Sequence, residues 1–488
     1  MTSSLSFLAF AVWTIPALQE ISVPGDPQIR PDGQAFAYTV KGRIFTAPIP
    51  SGAATEAARG TRPRWSKDGK FFAYIGTNGQ IQTSDGRTLT HSSTPISSYV
   101  LGDAVYYLTT DADPKTEPVI AERNLRYARL YRQPLSGGNA VALVKGDRHV
   151  VNFAVSPDGS RVAVAIQKTP MNRDVFHIDL HELDLRSGKE TALVVQPGRD
   201  ADSSYSPDGK TIAFHSQGGT WNYFEARHVA LVPSGGGTVR YLTKDFPYDV
   251  FRGGNAFTWS ADSSAIIYTA GRGTKDYLLR QRISDGTAEV LCERIAGTAS
   301  FTPDLSRAVL ARTSVSRPAE ITLLEKQRIT QLTHVHDPLA QYPPVVSKVI
   351  HWTSPDGLKL EGVLWMPFHA KPGARVPLLV ELHGGPTGAT LDSFPAPRTY
   401  PLQVFLERGF AVFSPNFRGS ANYGAAFRMR NALSQGVGDY QDVMSGVDYL
   451  ISQGIADADR LGVMGWSYGG YLTGAVISQT NRFKAASI

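Results

Sequence analysis

A tetrapeptide turn signal that recurs through the first two thirds of the chain constrains the fold most. Four copies resemble Ser-Pro-Asp-Gly and three are weaker, and their aspartates stand at positions 32, 68, 103, 158, 208, 262 and 304. Proline presets φ, aspartate bonds its own backbone and glycine supplies a positive φ, so each copy predicts a hairpin. Steps of about 35–55 residues match the four-stranded blade of a β-propeller. The spacing therefore predicts a seven-bladed β-propeller over residues 22–335.

An eighth copy, Ser354-Pro355-Asp356-Gly357, has a different context. It follows a proline-rich stretch at 338–344 and precedes one alternating strand over 358–367. After it the sequence alternates strands with helices, including a predicted helix over 439–453 that has one apolar face. Such alternation predicts a mostly parallel sheet covered on both faces. A second domain, of α/β type, is therefore predicted over residues 336–488.

The motif Gly465-Trp466-Ser467-Tyr468-Gly469 lies between an apolar strand at 460–464 and a helix predicted over 471–478. Gly-x-Ser-x-Gly in a strand–turn–helix context is the nucleophile turn of α/β-hydrolases. The sharp turn would expose Ser467 at the carboxyl edge of the sheet, where N–H groups of a helix N-terminus stabilise an oxyanion. The alternative is a structural serine in a tight turn.

His383-Gly384-Gly385-Pro386 ends a strand about 80 residues before that serine. The glycine pair lets the backbone approach a substrate, and one of its N–H groups would pair with that of Tyr468 as an oxyanion donor. A plain glycine turn is the alternative. His383 is not expected to be the general base, because hydrolases of this fold take that base from a loop after the nucleophile. Arg418 and Tyr423 either line the pocket or pin their loop, and the sequence leaves both open.

These motifs resemble the prolyl oligopeptidase family of serine peptidases, within it the acylaminoacyl-peptidase and dipeptidyl-aminopeptidase-like branch. The resemblance is carried by the segments 383–386, 416–420, 439–444, 465–471 and 482–486. It implies that Ser467 is the nucleophile and that Gly385 and Tyr468 are the backbone oxyanion donors. His383 occupies the position before the glycine pair where another branch has tyrosine, which favours the acylaminoacyl type. The resemblance further implies that the propeller caps the active site and admits only short peptides.

One departure concerns the catalytic triad, which in this fold runs serine, acid, histidine. The 21 residues after Ser467 contain no Asp, Glu or His. We therefore expect a C-terminally truncated hydrolase domain that lacks the triad Asp and His and is nearly inactive. The predicted function is a serine-type peptidase that hydrolyses aminoacyl, acylaminoacyl or dipeptidyl substrates through an acyl-enzyme on Ser467. The alternatives are an ester hydrolase of the same fold and a non-catalytic propeller scaffold that binds a partner.

Composition bears on which partners, covalent links and cofactors the chain could have. A net charge of +6 without blocks of like charge gives no support for a nucleic-acid partner. Cys292 is the only cysteine, which excludes an intrachain disulfide. No metal or cofactor signal is present, and His177 and His181 are interpreted as solvated strand residues. The propeller contains no adjacent Glu-Glu pair that would hold a substrate N-terminus. Isolated acids, namely Glu117, Glu122 and Glu225, cannot be placed from sequence, so exo- versus endo-cleavage stays open, as does the oligomeric state.

The N-terminal segment, residues 1–21, has two interpretations. An apolar run over 5–17 has the length of a signal peptide, although no Lys or Arg precedes it. Export to the periplasm or medium is slightly favoured over a cytoplasmic protein whose N-terminal segment packs on the next domain. No stretch reaches the ~18 apolar residues of a membrane span.

Overall fold

A computed structural model describes residues 10–113, 122, 124–244, 246–250, 257–395 and 400–488. Within these residues the region from 25 to 331 forms β-sheets that are almost wholly antiparallel, with six, four, eight, five and four strands in chain order. The strands are Gly25–Ile29, Ala35–Val40, Arg43–Pro48, Thr55–Trp65, Phe72–Gly76, Ile81–Thr83, Ile96–Leu101, Ala104–Thr110, Ala128–Pro134, Val141–Ala142, His149–Val155, Arg161–Gln167, His177–Asp184, Glu190–Val194, Gly198–Tyr205, Thr211–Ser216, His228–Pro233, Arg240–Tyr241, Asp249–Val250, Thr258–Trp259, Ala265–Arg272, Lys275–Arg282, Ala288–Glu293, Ile295–Phe301, Arg307–Arg312, Glu320–Glu325 and Arg328–Gln331.

The repeated signal forms the predicted hairpin turn. In the copy at 206–209, the Ser206 hydroxyl donates to Asp208 at 2.5 Å and accepts the Thr211 N–H at 3.0 Å. The Asp208 carboxylate accepts the Lys210 N–H at 3.1 Å, and Gly209 takes a φ of 69°. The same Ser/Thr-to-Asp bond recurs in the copies that begin at residues 66, 156, 260 and 302. In each of these copies the serine or threonine hydroxyl and the aspartate therefore close the turn within itself.

The first and last of these sheets pack against each other, which closes the ring of a propeller. Phe36 and Tyr38 of the first sheet share a buried cluster with Val309 and Ile321 of the last. The Ser300 hydroxyl accepts the Ile29 N–H at 3.2 Å across the same junction. Buried apolar side chains thus hold together elements that lie about 270 residues apart in sequence, as the burial of a continuous core between neighbouring repeats requires.

The second domain is a six-stranded sheet with helices packed on it. Its strands are β1 (Ser347–Thr353), β2 (Lys359–Trp365), β3 (Val376–Leu382), β4 (Ala411–Asn416), β5 (Ala456–Gly465) and β6 (Phe483–Ser487). Its helices are α1 (Leu402–Glu407), α2 (Ala425–Met429), α3 (Gly438–Ser452) and α4 (Tyr468–Gln479). The strand order is β1-β2-β4-β3-β5-β6, antiparallel up to β4 and parallel from β4 onward. The core lies between β3, β4, β5, α3 and α4.

Residues 10–21 pack on this second domain. Trp13 is buried, stacks on Tyr342 at 4.4 Å and donates its indole N–H to the Pro343 carbonyl at 3.2 Å. Leu18, on the short helix Ile15–Gln19, joins the same cluster. The segment thus packs on the second domain and not on the propeller that follows it in sequence. Cleavage, export and a cytoplasmic location all remain predictions. A 3₁₀ helix, Asp337–Gln341, connects the domains, and another, Asn172–Asp174, lies within the propeller. Among the described residues no helix is both long and apolar enough to cross a membrane.

Candidate active site

Ser467 lies in the sharp turn between β5 and α4, one residue before the helix. Its φ of 59° and ψ of −120° are strained for a residue with a side chain, and Ser467 itself is exposed. A Cβ atom at Gly465 would lie 2.2 Å from the Gly469 carbonyl oxygen, and one at Gly469 would lie 1.9 Å from that of Leu382. Only glycine therefore fits at the two flanking positions, which explains why the turn carries Gly-x-Ser-x-Gly.

The His383-Gly384-Gly385 loop is brought beside Ser467 by the sheet. The loop follows β3, which pairs in parallel with β5 so that Leu382 lies opposite Gly465. A Cβ atom at Gly384 would lie 3.4 Å from Ser467 Cβ and 3.1 Å from the Trp466 carbonyl oxygen, so the loop passes close beside the serine. Gly385 has a φ of 133°, a conformation open to glycine. The structure thus brings Ser467 and the glycine pair together.

The backbone and the side chain of Tyr468 have separate roles. Its N–H lies in the first turn of α4, where helix N–H groups lack an intrahelical acceptor. Its phenol hydroxyl binds two residues of other segments: it donates to Asp439 at 2.6 Å and accepts from the Asn431 amide at 3.0 Å. Burial, together with the Asp439 bond, raises the pKa of Tyr468, and burial raises the pKa of Asp439 as well. Asp439 lies in the first turn of α3.

The imidazole of His383 fixes the glycine loop to neighbouring groups. Its Nε2 lies 2.9 Å from the Ser420 hydroxyl and its Nδ1 lies 2.9 Å from the Gly384 carbonyl oxygen. The ring also stacks on Phe417 with centroids 4.4 Å apart. Both nitrogens are therefore engaged by neighbouring groups, which supports the expectation that His383 is not the general base.

Arg418 pins the loop after β4. Its guanidinium donates to both carboxylate oxygens of Asp442, at 2.9 and 2.7 Å, and its backbone N–H donates to the same carboxylate at 2.8 Å. Arg418 is 7% exposed and Asp442 is fully buried. The hydrogen bonds to Asp442 raise the pKa of Arg418. Of the two roles left open by the sequence, the structure shows the structural one.

Tyr423 has the same kind of role a few residues later. Its hydroxyl donates to Glu361 at 2.8 Å and accepts from the Asn416 amide at 2.9 Å. Burial raises the pKa of Tyr423 well above its usual value. Since its polar end is satisfied within the second domain, Tyr423 also fixes the loop.

A cavity of about 190 Å³ lies between the propeller and the glycine loop. Its walls come from both domains, with propeller residues Val175, Phe176, Arg199, Gln217, Tyr223, Glu225 and Arg227 facing Thr387 and Arg428. The Tyr223 hydroxyl donates to the Gly385 carbonyl at 2.5 Å. Of the three acids that the sequence could not place, Glu225 lines this cavity and Glu122 pairs with Arg173 at 3.1 Å on the surface. Glu117 lies outside the described residues.

The two strand histidines differ from each other. His177 is exposed, as expected. The interpretation of His181 as a solvated residue is wrong, because its side chain is only 18% exposed and its Nδ1 lies 2.9 Å from Glu190. Burial lowers the pKa of His181. Over the described ranges no group of three or more His, Cys, Asp or Glu side chains is arranged to hold a metal ion.

Comparisons with known proteins find relatives in sequence and in structure. A sequence profile of the prolyl oligopeptidase family matches residues 398–488. An uncharacterized peptidase of Bacillus subtilis, YuxL, is 34% identical over 190 residues, which are 38% of this chain and 28% of that protein. Dipeptidyl-peptidase 5 of Porphyromonas endodontalis is 24% identical over 516 residues, covering 92% of this chain and 73% of that protein. The chain thus spans well under half of the Bacillus relative.

A solved structure shows the same fold over nearly the whole chain. The acylaminoacyl peptidase of Pyrococcus horikoshii has a TM-score of 0.81 at 20% identity, over 98% of this chain and 79% of that one. The predicted architecture of a propeller followed by a hydrolase domain is therefore confirmed. The predicted family resemblance is confirmed for the segment that the profile matches, residues 398–488. The number of seven blades stays a prediction.

Proposed function

We propose that this chain, whose residues 398–488 match the prolyl oligopeptidase family, is a serine-type peptidase that hydrolyses short peptides through an acyl-enzyme on Ser467. The observation that carries the proposal is the close approach of the Gly384-Gly385 loop to the strained, exposed Ser467. A structural turn serine has no need of a glycine loop packed against its Cβ atom. An acyl-transfer site requires that loop, because the oxyanion forms within hydrogen-bond reach of the nucleophile.

In this proposal Ser467 Oγ attacks the substrate carbonyl carbon and the carbonyl electron pair moves onto oxygen. The N–H groups of Gly385 and Tyr468 bind that oxyanion, and each such donor is typically worth about 10²–10³ in kcat. A histidine takes the serine proton and passes it to the leaving amine as the C–N bond breaks. Water then hydrolyses the ester on Ser467 and regenerates the hydroxyl.

The histidine and its aspartate are proposed to come from polypeptide outside these 488 residues. The segment from Tyr468 to Ile488 contains no acid and no histidine. His383, the histidine beside the site, has both nitrogens engaged by Ser420 and Gly384. The 488-residue polypeptide is accordingly expected to have a kcat lower by about 10⁴ or more than a version that supplies the triad.

Short peptides are proposed as substrates because of the cavity beside the glycine loop. At about 190 Å³, with a propeller wall opposite the catalytic domain, it has room for a short chain end. The carboxylate of Glu225 suits a substrate ammonium and the guanidinium of Arg199 suits a carbonyl oxygen, so aminoacyl, acylaminoacyl and dipeptidyl ends are all candidates.

We also propose that the five propeller sheets divide into seven blades. The long strand Thr55–Trp65 pairs through its first half with Arg43–Pro48 and through its second half with Phe72–Gly76. In the eight-stranded sheet, only two residue pairs join His177–Asp184 to Gly198–Tyr205, in parallel. Dividing the chain at these two places gives seven groups. An experimental structure with another number of blades would contradict this count.

Active-site labelling tests the proposed nucleophile. The 488-residue polypeptide and a version extended by its native downstream sequence are treated with a fluorophosphonate and assayed on aminoacyl, acylaminoacyl, dipeptidyl and simple ester chromogenic substrates. Ser467→Ala should abolish labelling and hydrolysis in the extended protein, whereas Ser478→Ala, on the exposed side of the same helix, should not.

Three outcomes would oppose the proposal. Hydrolysis of esters alone would make the protein an esterase of the same fold. Absence of labelling in the extended protein would favour a non-catalytic scaffold. Equal, Ser467-dependent rates for the two lengths would show that the 488 residues already contain the proton acceptor.

A further inference from the structure

One hydrogen bond joins the propeller directly to the loop beside the nucleophile. The Tyr223 hydroxyl donates to the Gly385 carbonyl at 2.5 Å, across 162 positions in the sequence. Tyr223 belongs to a turn over 222–225 between the strands Thr211–Ser216 and His228–Pro233. The bond therefore places a propeller side chain on a residue expected to bind the oxyanion.

The turn that presents Tyr223 is itself fixed. The Asn222 side chain accepts the Phe224 N–H at 2.9 Å, and the Asn222 carbonyl accepts the Glu225 N–H at 3.0 Å. The Asn222 amide also reaches Met429 of the second domain, with nitrogen and sulfur 3.4 Å apart. Tyr223 packs edge-on against Phe176, with ring centroids 6.3 Å apart. The turn and the ring contact therefore restrict the position of the Tyr223 hydroxyl.

Gly385 needs such support because glycine rotates more freely than any other residue. The residue before it is held, since Gly384 packs against Ser467. The residues after it are held by the second domain, where the Ala421 N–H donates to the Gly388 carbonyl at 2.8 Å. The Gly385 N–H lies in the same peptide plane as the Gly384 carbonyl, which His383 holds at 2.9 Å. The Gly385 carbonyl lies in the next plane, and the φ and ψ of Gly385 relate the two planes, so Tyr223 restrains Gly385 from its other side.

We propose that Tyr223 is a positioning residue, contributed by the propeller, which holds Gly385 so that its N–H points to the oxyanion. Tyr223 acts through Gly385 and touches no reacting atom. The proposal rests on the proposed function, because the direction of this N–H matters only if Ser467 is the nucleophile. It also means that separating the propeller from the hydrolase domain breaks a bond to the oxyanion loop.

A substrate-binding role is the competing explanation, since Tyr223 is 46% exposed and lines the cavity. The two roles affect different constants. Loss of a residue that binds ground state and transition state equally raises KM, whereas loss of oxyanion positioning lowers kcat. Tyr223→Phe removes the hydroxyl and keeps the ring against Phe176, so it separates them.

The experiment compares four forms of the full-length active protein on a dipeptidyl or acylaminoacyl substrate: native, Tyr223→Phe, Tyr99→Phe and Ser467→Ala. Tyr99 is the matched control, because its hydroxyl also donates to a backbone carbonyl, that of Arg62 at 2.8 Å, but within the propeller. Affinity for a peptide boronate, which forms a tetrahedral adduct with the serine, is measured alongside.

Tyr223→Phe should lower kcat about tenfold and weaken the boronate by a similar factor, with KM changed less than about twofold. This is smaller than the ~10²–10³ lost with a whole oxyanion donor, because the Gly385 N–H is still present. Tyr99→Phe should leave kcat and KM within about twofold. A Tyr223→Phe kcat equal to the native one, or a change in KM alone, overturns the positioning role. Activity retained by Ser467→Ala would instead overturn the proposed function, and this inference with it.

Discussion

The same four residues, Ser-Pro-Asp-Gly, occur in the propeller at 206–209 and in the hydrolase domain at 354–357, with different consequences. The backbone turn is identical, since in both the glycine N–H donates to the serine carbonyl at 2.9 Å. In the propeller, Ser206 donates to Asp208 within its own turn. In the hydrolase domain, Ser354 donates instead to Asp442 on α3 at 2.7 Å. Local sequence thus determines the turn, while the surrounding domain determines what its side chains hold.

The second copy is part of a charge cluster in which Arg418 and Asp442 are buried and Asp356 is exposed. Asp356 lies 3.1 Å from the guanidinium of Arg418, which donates in turn to Asp442. The Trp352 indole N–H donates to the Asp442 carbonyl at 3.1 Å, so β1 is fixed to α3 at the same place. A serine that bonds the acid of its own turn in one domain therefore joins separate segments in the other.

The largest difference between the two copies is expected at the acid that receives the serine bond. Asp442→Asn removes the buried counter-charge of Arg418 and leaves it only the exposed Asp356, so it should destabilise the hydrolase domain by about 3–5 kcal/mol. The matched change Asp208→Asn, in an exposed turn, should cost no more than ~1 kcal/mol. Urea unfolding followed by tryptophan fluorescence measures both. Equal losses would show that the two copies have equivalent roles.

Removing the serine hydroxyl gives a smaller contrast. Ser354→Ala deletes a bond to a buried carboxylate and should cost about 2 kcal/mol, whereas Ser206→Ala deletes one to an exposed carboxylate and should cost about 1 kcal/mol. Differential scanning calorimetry distinguishes which domain transition moves. A shift of the propeller transition by Ser354→Ala would contradict the assignment of this turn to the hydrolase sheet.

These contrasts show what sequence could and could not predict. The hairpins, the propeller architecture and the turn around Ser467 depend on residues close together in the chain, and they were predictable. The bonds of Arg418 to Asp442, of Tyr468 to Asp439 and of Tyr223 to Gly385 join residues 24, 29 and 162 positions apart. No local pattern distinguishes such a partner from a solvated residue, which is also why the environment of His181 was missed.

A third kind of aspartate lies where the two domains meet. Asp276 is 7% exposed on the strand Lys275–Arg282 and neighbours Asn422, a hydrolase-domain residue whose carbonyl accepts the Gly273 N–H at 2.8 Å. Burial raises the pKa of Asp276 to about 7. The folded protein then binds more protons than the unfolded chain between about pH 4 and pH 7.

Stability should consequently fall as the pH rises through this window and level off above about pH 7. Asp276→Asn stays neutral and should remove this part of the slope in Tm between pH 5 and pH 8. Asp262→Asn is the control, because the hydroxyl of Ser260 holds the pKa of Asp262 at about 2, outside the window. An unchanged slope in Asp276→Asn would show that the carboxylate at the interface is already ionised at pH 5.

The smallest expected effect is a shift in the pKa of the turn aspartate. It should occur in a propeller turn and not in the turn of the hydrolase domain. The Ser156 hydroxyl, at 2.6 Å, and the Ser160 N–H hold the pKa of Asp158 at about 2. Because this pKa lies below the unfolded value of 3.8, the bond stabilises the turn above about pH 4, and its contribution is lost as the pH falls towards 2. Ser156→Ala should raise the pKa of Asp158 towards its ordinary value, read from the carboxyl ¹³C shift.

The corresponding change in the hydrolase domain should do nothing of the kind. Burial opposes ionisation of Asp356, but the Leu358 N–H and the Arg418 guanidinium hold its pKa below the usual value without help from Ser354. Ser354→Ala should therefore leave the titration of Asp356 in place while destabilising α3 through Asp442. If the pKa of Asp356 rose as that of Asp158 does, the serine would be serving its own turn in both domains, and the contrast between them would reduce to burial alone.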